Sequence, residues 1–190
     1  MRLVTREIDL YGTICSADLM EFDKSDTEEW LKLWDSWKTL KMGLRAYKTR
    51  EPNLPEGLSE TAFCMYSGSH RLVDIKGNCN KSADTYNLDT MEAEQIKASS
   101  VERDLTSFGP KTKWDKLYFL DFYRDGTLDG SFDVYEIDKN LIYNTIVNKG
   151  KKQTFRDQQN LDRRPRLSLK EDVIKVHGIK PKDINVRIWI

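Results

Sequence analysis

Leu117-Tyr118-Phe119-Leu120-Asp121-Phe122 is a nearly unbroken apolar run of strand length in a chain that is one-third charged. A strand of this kind is buried on both faces, so the fold must cover it above and below. Cover is available upstream. Trp30, Leu33, Trp34, Trp37, Leu40 and Leu44 recur at three- and four-residue steps, which predicts an amphipathic helix over 26–47. Ser25-Asp26-Thr27-Glu28 has capping-box spacing just before it. Its tryptophan stripe reads as core or dimer interface rather than as a base-stacking platform. Asn53 and Pro55, followed by Leu58, Ala62 and Met65, signal a second helix, with Gly68 as its C-cap. Glu56 and Glu60 share a face on it.

The rest of the chain reads mainly as strands. Residues 71–75 form one candidate, and Gly77-Asn78-Cys79-Asn80 a turn. Residues 83–88 and 91–98 predict a hairpin that turns at 87–90. Ser99-Ser100-Val101-Glu102 has capping-box spacing and predicts a short helix toward Leu105, stopped by Phe108-Gly109-Pro110. Residues 132–137 and 141–146 are weaker strand candidates, 167–177 looks helical, and 184–190 alternates like a strand. There are no repeats, low-complexity tracts or linkers. The expected class is therefore α/β (α+β), a central mixed β-sheet flanked by helices in one domain over 1–190. Within it we expect an N-terminal helical part (about 1–50), a catalytic core (about 51–146) and a basic C-terminal part (about 147–190).

Several functional classes drop out. No apolar run nears the roughly 18 residues needed to cross a bilayer. Met1 to Glu7 has basic residues without an apolar stretch behind them, which predicts no secretory leader and a cytoplasmic protein. Cys15, Cys64 and Cys79 are widely spaced and only His70 and His177 accompany them, which argues against a closed Cys/His zinc site. The thiols are expected to be small buried hydrophobes or bystanders. There is neither a glycine-rich phosphate loop nor a Gly-x-Ser-x-Gly elbow.

The hairpin carries the chemistry. Residues two apart on a strand point to one face, so Gln95 and Lys97 project together while Ile96 turns to a core. Asp84 on the preceding strand lies across from them. One carboxylate, one amide oxygen and one ammonium at a sheet edge suit phosphodiester hydrolysis. A hard Mg²⁺ ion takes oxygen ligands, which Asp84 and Gln95 can supply, and it lowers the pKa of a bound water. Lys97 would orient that water, and Glu60 on the second helix would complete the metal shell or bind a second ion through water. Asp74 and Asp89 are alternatives to Asp84. Glu94 faces the other way unless a bulge re-aims it.

Charge is unevenly distributed in a chain that is neutral overall. From Lys139 onward thirteen basic residues stand against five acidic ones, leaving +8 there and about −8 in the remainder. Such a split suits an acidic metal-binding part beside a basic phosphate-contacting part.

These residues resemble a known family. Leu54-Pro55-Glu56-Gly57-Leu58-Ser59-Glu60, Gln95-Ile96-Lys97-Ala98-Ser99-Ser100 and Asp104-Leu105-Thr106-Ser107-Phe108-Gly109-Pro110 are similar to stretches of small type II restriction endonucleases. The region from Asp121-Phe122-Tyr123 to Tyr135-Glu136-Ile137 and Arg163-Arg164-Pro165-Arg166 extends the likeness. It is strongest to the family that cuts at GCNGC and covers roughly residues 50–175. The helix–strand order also resembles the αβββαβ core of PD-(D/E)xK nucleases. The resemblance implies a Mg²⁺-dependent homodimer in which each subunit cuts one strand of double-stranded DNA. One departure is that Gln95 stands where the superfamily usually has a carboxylate, so a metal would lose a charged ligand.

Reading bases needs major-groove contacts, most often from arginine or lysine to guanine. Arg163, Arg164 and Arg166, held extended by Pro165, are the first choice. Lys149, Lys151 and Lys152 around Gly150 suit phosphate contacts. Two other readings compete with the restriction enzyme. One is a repair or junction nuclease of the same fold, and the other is a non-catalytic DNA-binding module in which Asp84, Gln95 and Lys97 only form an ion network.

Overall fold

A computed structural model describes residues 1–189. Its elements run β1 (Arg2–Asp9), β2 (Ile14–Glu21), α1 (Thr27–Ala46), α2 (Glu56–Ser67), β3 (His70–Ile75), β4 (Thr85–Asn87), β5 (Glu92–Ser99) and β6 (Thr106–Ser107). They continue with β7 (Lys116–Asp121), β8 (Phe132–Ile137), α3 (Lys139–Asn144), β9 (Ile146–Asn148), β10 (Gln153–Thr154) and α4 (Phe155–Asn160). The last are β11 (Arg166–Leu167), a π-type helix α5 (Lys170–Lys175) and β12 (Asp183–Val186). Eight strands form one mixed sheet in the order β1-β2-β3-β4-β5-β7-β8-β12. Only the β5–β7 pair is parallel.

The apolar run forms β7, and both its faces are covered. Tyr118, Leu120 and Phe122 pack with Ile96 under α1 and α2, among Trp30, Trp34 and Phe63. Leu117 and Phe119 face the opposite layer, with Phe108, Trp114, Phe155 and Leu169. A third cluster under β1–β5 joins Ile8, Leu19, Ile75 and Tyr86. Gly68 caps α2 in the left-handed conformation (φ 77°), where its N–H reaches the Cys64 carbonyl.

Several local expectations need correction. Residues 1–50, read as helical, open with the β1–β2 hairpin, which turns through Tyr11 and Gly12, both at positive φ. On α1 the buried stripe is Trp30, Trp34, Trp37 and Lys41, while Leu33 and Leu40 are exposed. The capping box lies two residues earlier than expected, between Asp23 and Asp26. No helix follows Ser99. The crossover from β5 to the parallel β7 instead contains β6, which pairs with β11. Residues 141–146 lie mostly in α3, because Asp138 accepts a hydrogen bond from the Asn140 N–H and caps a turn there. Cys15 and Cys79 are joined in a disulfide, so two of the three thiols are not bystanders, and Cys64 is free and buried. The final strand is Asp183–Val186, so of the stretch read as 184–190 only 184–186 is strand among the described residues, and Ile190 lies outside them.

Candidate active site

β4 and β5 pair so that Thr85 stands opposite Glu94, which sets Asp84 against Gln95 just ahead of β4. Asp84 is clamped there by its backbone. Its N–H donates to the Glu94 carbonyl (3.0 Å), and its own carbonyl accepts from the Leu72 N–H (3.0 Å). Opposed residues of an antiparallel pair share a face. Asp84, Gln95 and Lys97 therefore project together, while Glu94 projects to the α2 side.

The contacts follow that register. The Gln95 side-chain amide donates to Asp84 Oδ2, and the same oxygen accepts from the Ile96 N–H at 2.8 Å. Lys97 Nζ lies 3.7 Å from it, with the ammonium 5.6 Å from the centre of the Phe108 ring. Burial pushes the Asp84 carboxyl above its ordinary range, and Lys97 opposes that shift. Gln95 is 2% exposed, and its Oε1 has no hydrogen-bond partner. A buried amide oxygen left unpaired costs about 1–3 kcal/mol, so it favours anything that would accept its lone pairs.

Lys97 opens onto a cleft of about 320 Å³ between the N-terminus of α2, the end of β5 and the segment from Ser100 to Ser107. Glu56 lines this cleft; Glu60 does not. Glu60 is buried and bound by Arg71 Nε at 2.6 Å. Burial and the nearby Asp84 charge raise its carboxyl, and Arg71 pulls it back. Glu60 thus sits within electrostatic reach of Asp84 without bonding to Asp84, Gln95 or Lys97. Glu56, one turn earlier on the same face, is the α2 carboxylate at the cleft. Glu94 accepts from Thr85 Oγ1 at 2.7 Å on the opposite face, so no bulge re-aims it. Asp74 pairs with Lys81 at 3.6 Å, and exposed Asp89 lies in the hairpin turn; neither bonds to Gln95 or Lys97.

The donor set for a cation is one carboxylate and one free amide oxygen, beside strand carbonyls. These are the hard oxygens that Mg²⁺ prefers. Among the described residues no group of three or more His, Cys, Asp or Glu is placed to hold a metal. The fit is therefore to an ion whose remaining ligands are water and phosphate.

The six basic residues singled out for DNA contact are all exposed, and none has an ion-pair partner among the described residues. Arg166 lies on β11 opposite Ser107 of β6, which lines the cleft. Arg163 and Arg164 lie on the approach to that strand. Lys149, Lys151 and Lys152 form the tip of the β9–β10 hairpin, where Lys152 adopts a left-handed conformation (φ 51°). Lys111 and Lys113 escaped the sequence reading. Their loop docks onto the segment before Asp84, where the Lys113 N–H donates to Ser82 Oγ (2.9 Å) and Asn80 Nδ2 to the Lys111 carbonyl (3.3 Å). That contact joins residues 31 apart and left no local signal in the sequence.

Among the described residues no helix is long and apolar enough to cross a membrane. A family model described as Bsp6I restriction endonuclease matches residues 22–176. The type II restriction enzyme Bsp6I of Bacillus sp. (strain RFL6) is 33% identical over 165 residues, covering 86% of this chain and 90% of that protein. No solved structure gives a significant match.

Proposed function

The chain belongs to the Bsp6I restriction endonuclease family, and on that footing we propose a Mg²⁺-dependent homodimer that cuts both strands of duplex DNA at a short GCNGC-like site in the cytoplasm. The observation that carries the assignment of the chemistry is the meeting of Asp84, Gln95 and Lys97, of which Lys97 lines the cleft, with the Gln95 oxygen unpaired.

Asp84 and Gln95 Oε1 would hold the cation, with Glu60 or Glu56 joining its shell through water. When bound, the ion polarises the scissile phosphate and makes a coordinated water acidic near neutral pH. The protein's own residues do the rest. Lys97 donates from Nζ toward the attacking water and the phosphate oxygens, holding both where negative charge accumulates. The water oxygen forms the new bond to phosphorus and the bond to the 3′ oxygen breaks. The water proton passes to solvent and the leaving oxygen takes a proton, which yields a 3′-hydroxyl and a 5′-phosphate. Phe108 beneath Lys97 keeps bulk water from one side of the ammonium. Arg163, Arg164 and Arg166 would read bases, and Lys149, Lys151 and Lys152 would position the duplex through phosphates.

The test is cleavage of plasmid DNA, unmethylated and cytosine-methylated, with Mg²⁺ or with EDTA, beside Lys97→Ala. We expect discrete fragments that need Mg²⁺, and a loss of about 10²–10³-fold in rate in the variant. End-sequencing of the fragments gives the site. A Lys97→Ala protein that cuts as well as the wild type would remove Lys97 from the chemistry. DNA binding without cleavage in Mg²⁺ or Mn²⁺ would leave a binding module.

A further inference from the structure

We infer that β6 and β11 form a ribbon that enters the major groove, and that Arg103, Leu105 and Ser107 read base edges beside Arg166. This rests on the reading of the adjoining cleft as the DNA-facing site.

Exposure alternates along this segment. Arg103, Leu105 and Ser107 face out, while Asp104, Thr106 and Phe108 are buried. The alternation is that of a strand with one face on the core. Ser107 stands directly opposite Arg166, so the two share the outward face. That face carries two arginines without ion-pair partners among the described residues, a hydroxyl, and a leucine that is 73% exposed. No carboxylate projects between Arg103 and Ser107, because Asp104 points inward. Leu105 and Ser107 line the cleft that holds Lys97, as do the inward Asp104 and Thr106, so the ribbon borders the proposed reacting site.

The inward side is built to hold this face still. Asp104 is 6% exposed and accepts from Thr106 Oγ1 (3.1 Å), Ser168 Oγ (2.6 Å), the Leu169 N–H (2.7 Å) and the Lys170 N–H (3.2 Å). Those bonds fasten the ribbon to the start of α5. Phe108 and Leu167 bury beneath it. A single exposed leucine is ordinary on a protein surface. Here it is held rigid between cations at the lip of the cleft, and duplex DNA supplies both surfaces that such a face needs. A two-stranded ribbon fits the width of the major groove. Arginines there meet guanine O6 and N7, and an apolar side chain meets the C5 edge of a pyrimidine. Rigidity spares the ordering cost that a mobile loop would incur on binding.

The experiment measures kcat/KM on the cognate duplex and on duplexes with one base pair replaced, for wild type, Leu105→Ala and Arg103→Ala. Melting curves and size-exclusion chromatography confirm that each variant is folded and has the wild-type assembly state. The expected result is a fall of about tenfold or more on the cognate site with little change on the altered ones. An equal fall on every duplex marks a phosphate or structural role and overturns the inference, as does an unchanged ratio. Altered assembly with discrimination intact assigns the face to a second copy instead, and also overturns it. Fluorescence anisotropy with the same duplexes in EDTA reads the ribbon even where no strand is cut, which separates its failure from failure of the catalytic assignment.

Discussion

A glutamine and an aspartate in hydrogen-bond contact make a site that is quiet without a cation. Replacing Gln95 by glutamate sets a second carboxylate against Asp84. The metal-free Gln95→Glu protein is expected to be less stable by on the order of 3 kcal/mol. Added Mg²⁺ should then raise its Tm more than it raises that of the wild type. Equal shifts would mean that Gln95 is not at the ion. These residues were legible in the sequence because a strand's period of two is short and strict, so one correct pairing places Asp84, Gln95 and Lys97 at once. Lys41 was not legible. It is 1% exposed on α1, stacked against Trp37 and paired with Glu51 at 2.9 Å. A lysine at a helical core position reads as surface until its partner on a later loop is known. Hydrogen bonds from Arg45 and then Lys41 pull the Glu51 carboxyl down to about 2. Its folded-state value lies below its unfolded value, so the stability it confers is present above the ordinary carboxylate range. That stability fades as pH falls toward about 2. Glu51→Gln leaves Lys41 buried and unpaired, which should cost about 3 kcal/mol at pH 7. In melts over a pH series the gap from wild type should close on acidification; a gap independent of pH would remove the ion pair from the account.

The elements that the sequence hid share a cause, which is that distant partners define them. β1 is largely exposed and lacks apolar alternation, so only its pairing with β2 makes it a strand. In β2 a signal was present, since Cys15, Ala17 and Leu19 alternate as buried residues, but two of the three are small. The segment after Ser99 met the spacing of a capping box. It lacks an apolar stripe, and Asp104 holds it to a helix more than sixty residues downstream. What was legible was long and periodic: α1, α2, the β4–β5 hairpin and β7. The Cys15–Cys79 disulfide ties β2 to the turn after β3 across 64 residues. In the chain-entropy account a loop of that length contributes up to about 4 kcal/mol, on the order of 10 °C in Tm. Reductant should lower the Tm of the wild type and leave that of Cys15→Ser unchanged. Cleavage should persist in reductant, because neither cysteine lines the cleft. Equal melting with and without reductant would show that the bond adds nothing to stability.

Across the whole molecule, charge and architecture divide in the same way. The sheet, from the part of the chain with net negative charge, carries Asp84, Gln95 and Lys97, and the chain from Lys139 onward brings the net positive charge to the opposite layer. If the β9–β10 tip rests on phosphates, replacing Lys149, Lys151 and Lys152 by alanine should flatten the salt dependence of binding. The expected change is about 0.9 in logarithmic slope per lost contact, read by anisotropy between about 50 and 200 mM salt. An unchanged slope would take the hairpin off the path of the duplex. The Asp104 anchor has one more consequence, and it concerns the order in which the chain leaves the ribosome. Asp84, Gln95 and Lys97 lie close together near the middle of the chain. The hydroxyl and N–H groups that receive Asp104 come from Ser168, Leu169 and Lys170. Until those residues are made, Asp104 has only the Thr106 hydroxyl as a donor, and the wall beside Lys97 is not fastened to the rest of the fold. A nascent or prematurely ended chain would thus hold Asp84, Gln95 and Lys97 while the segment beside them still lacked its anchor on α5.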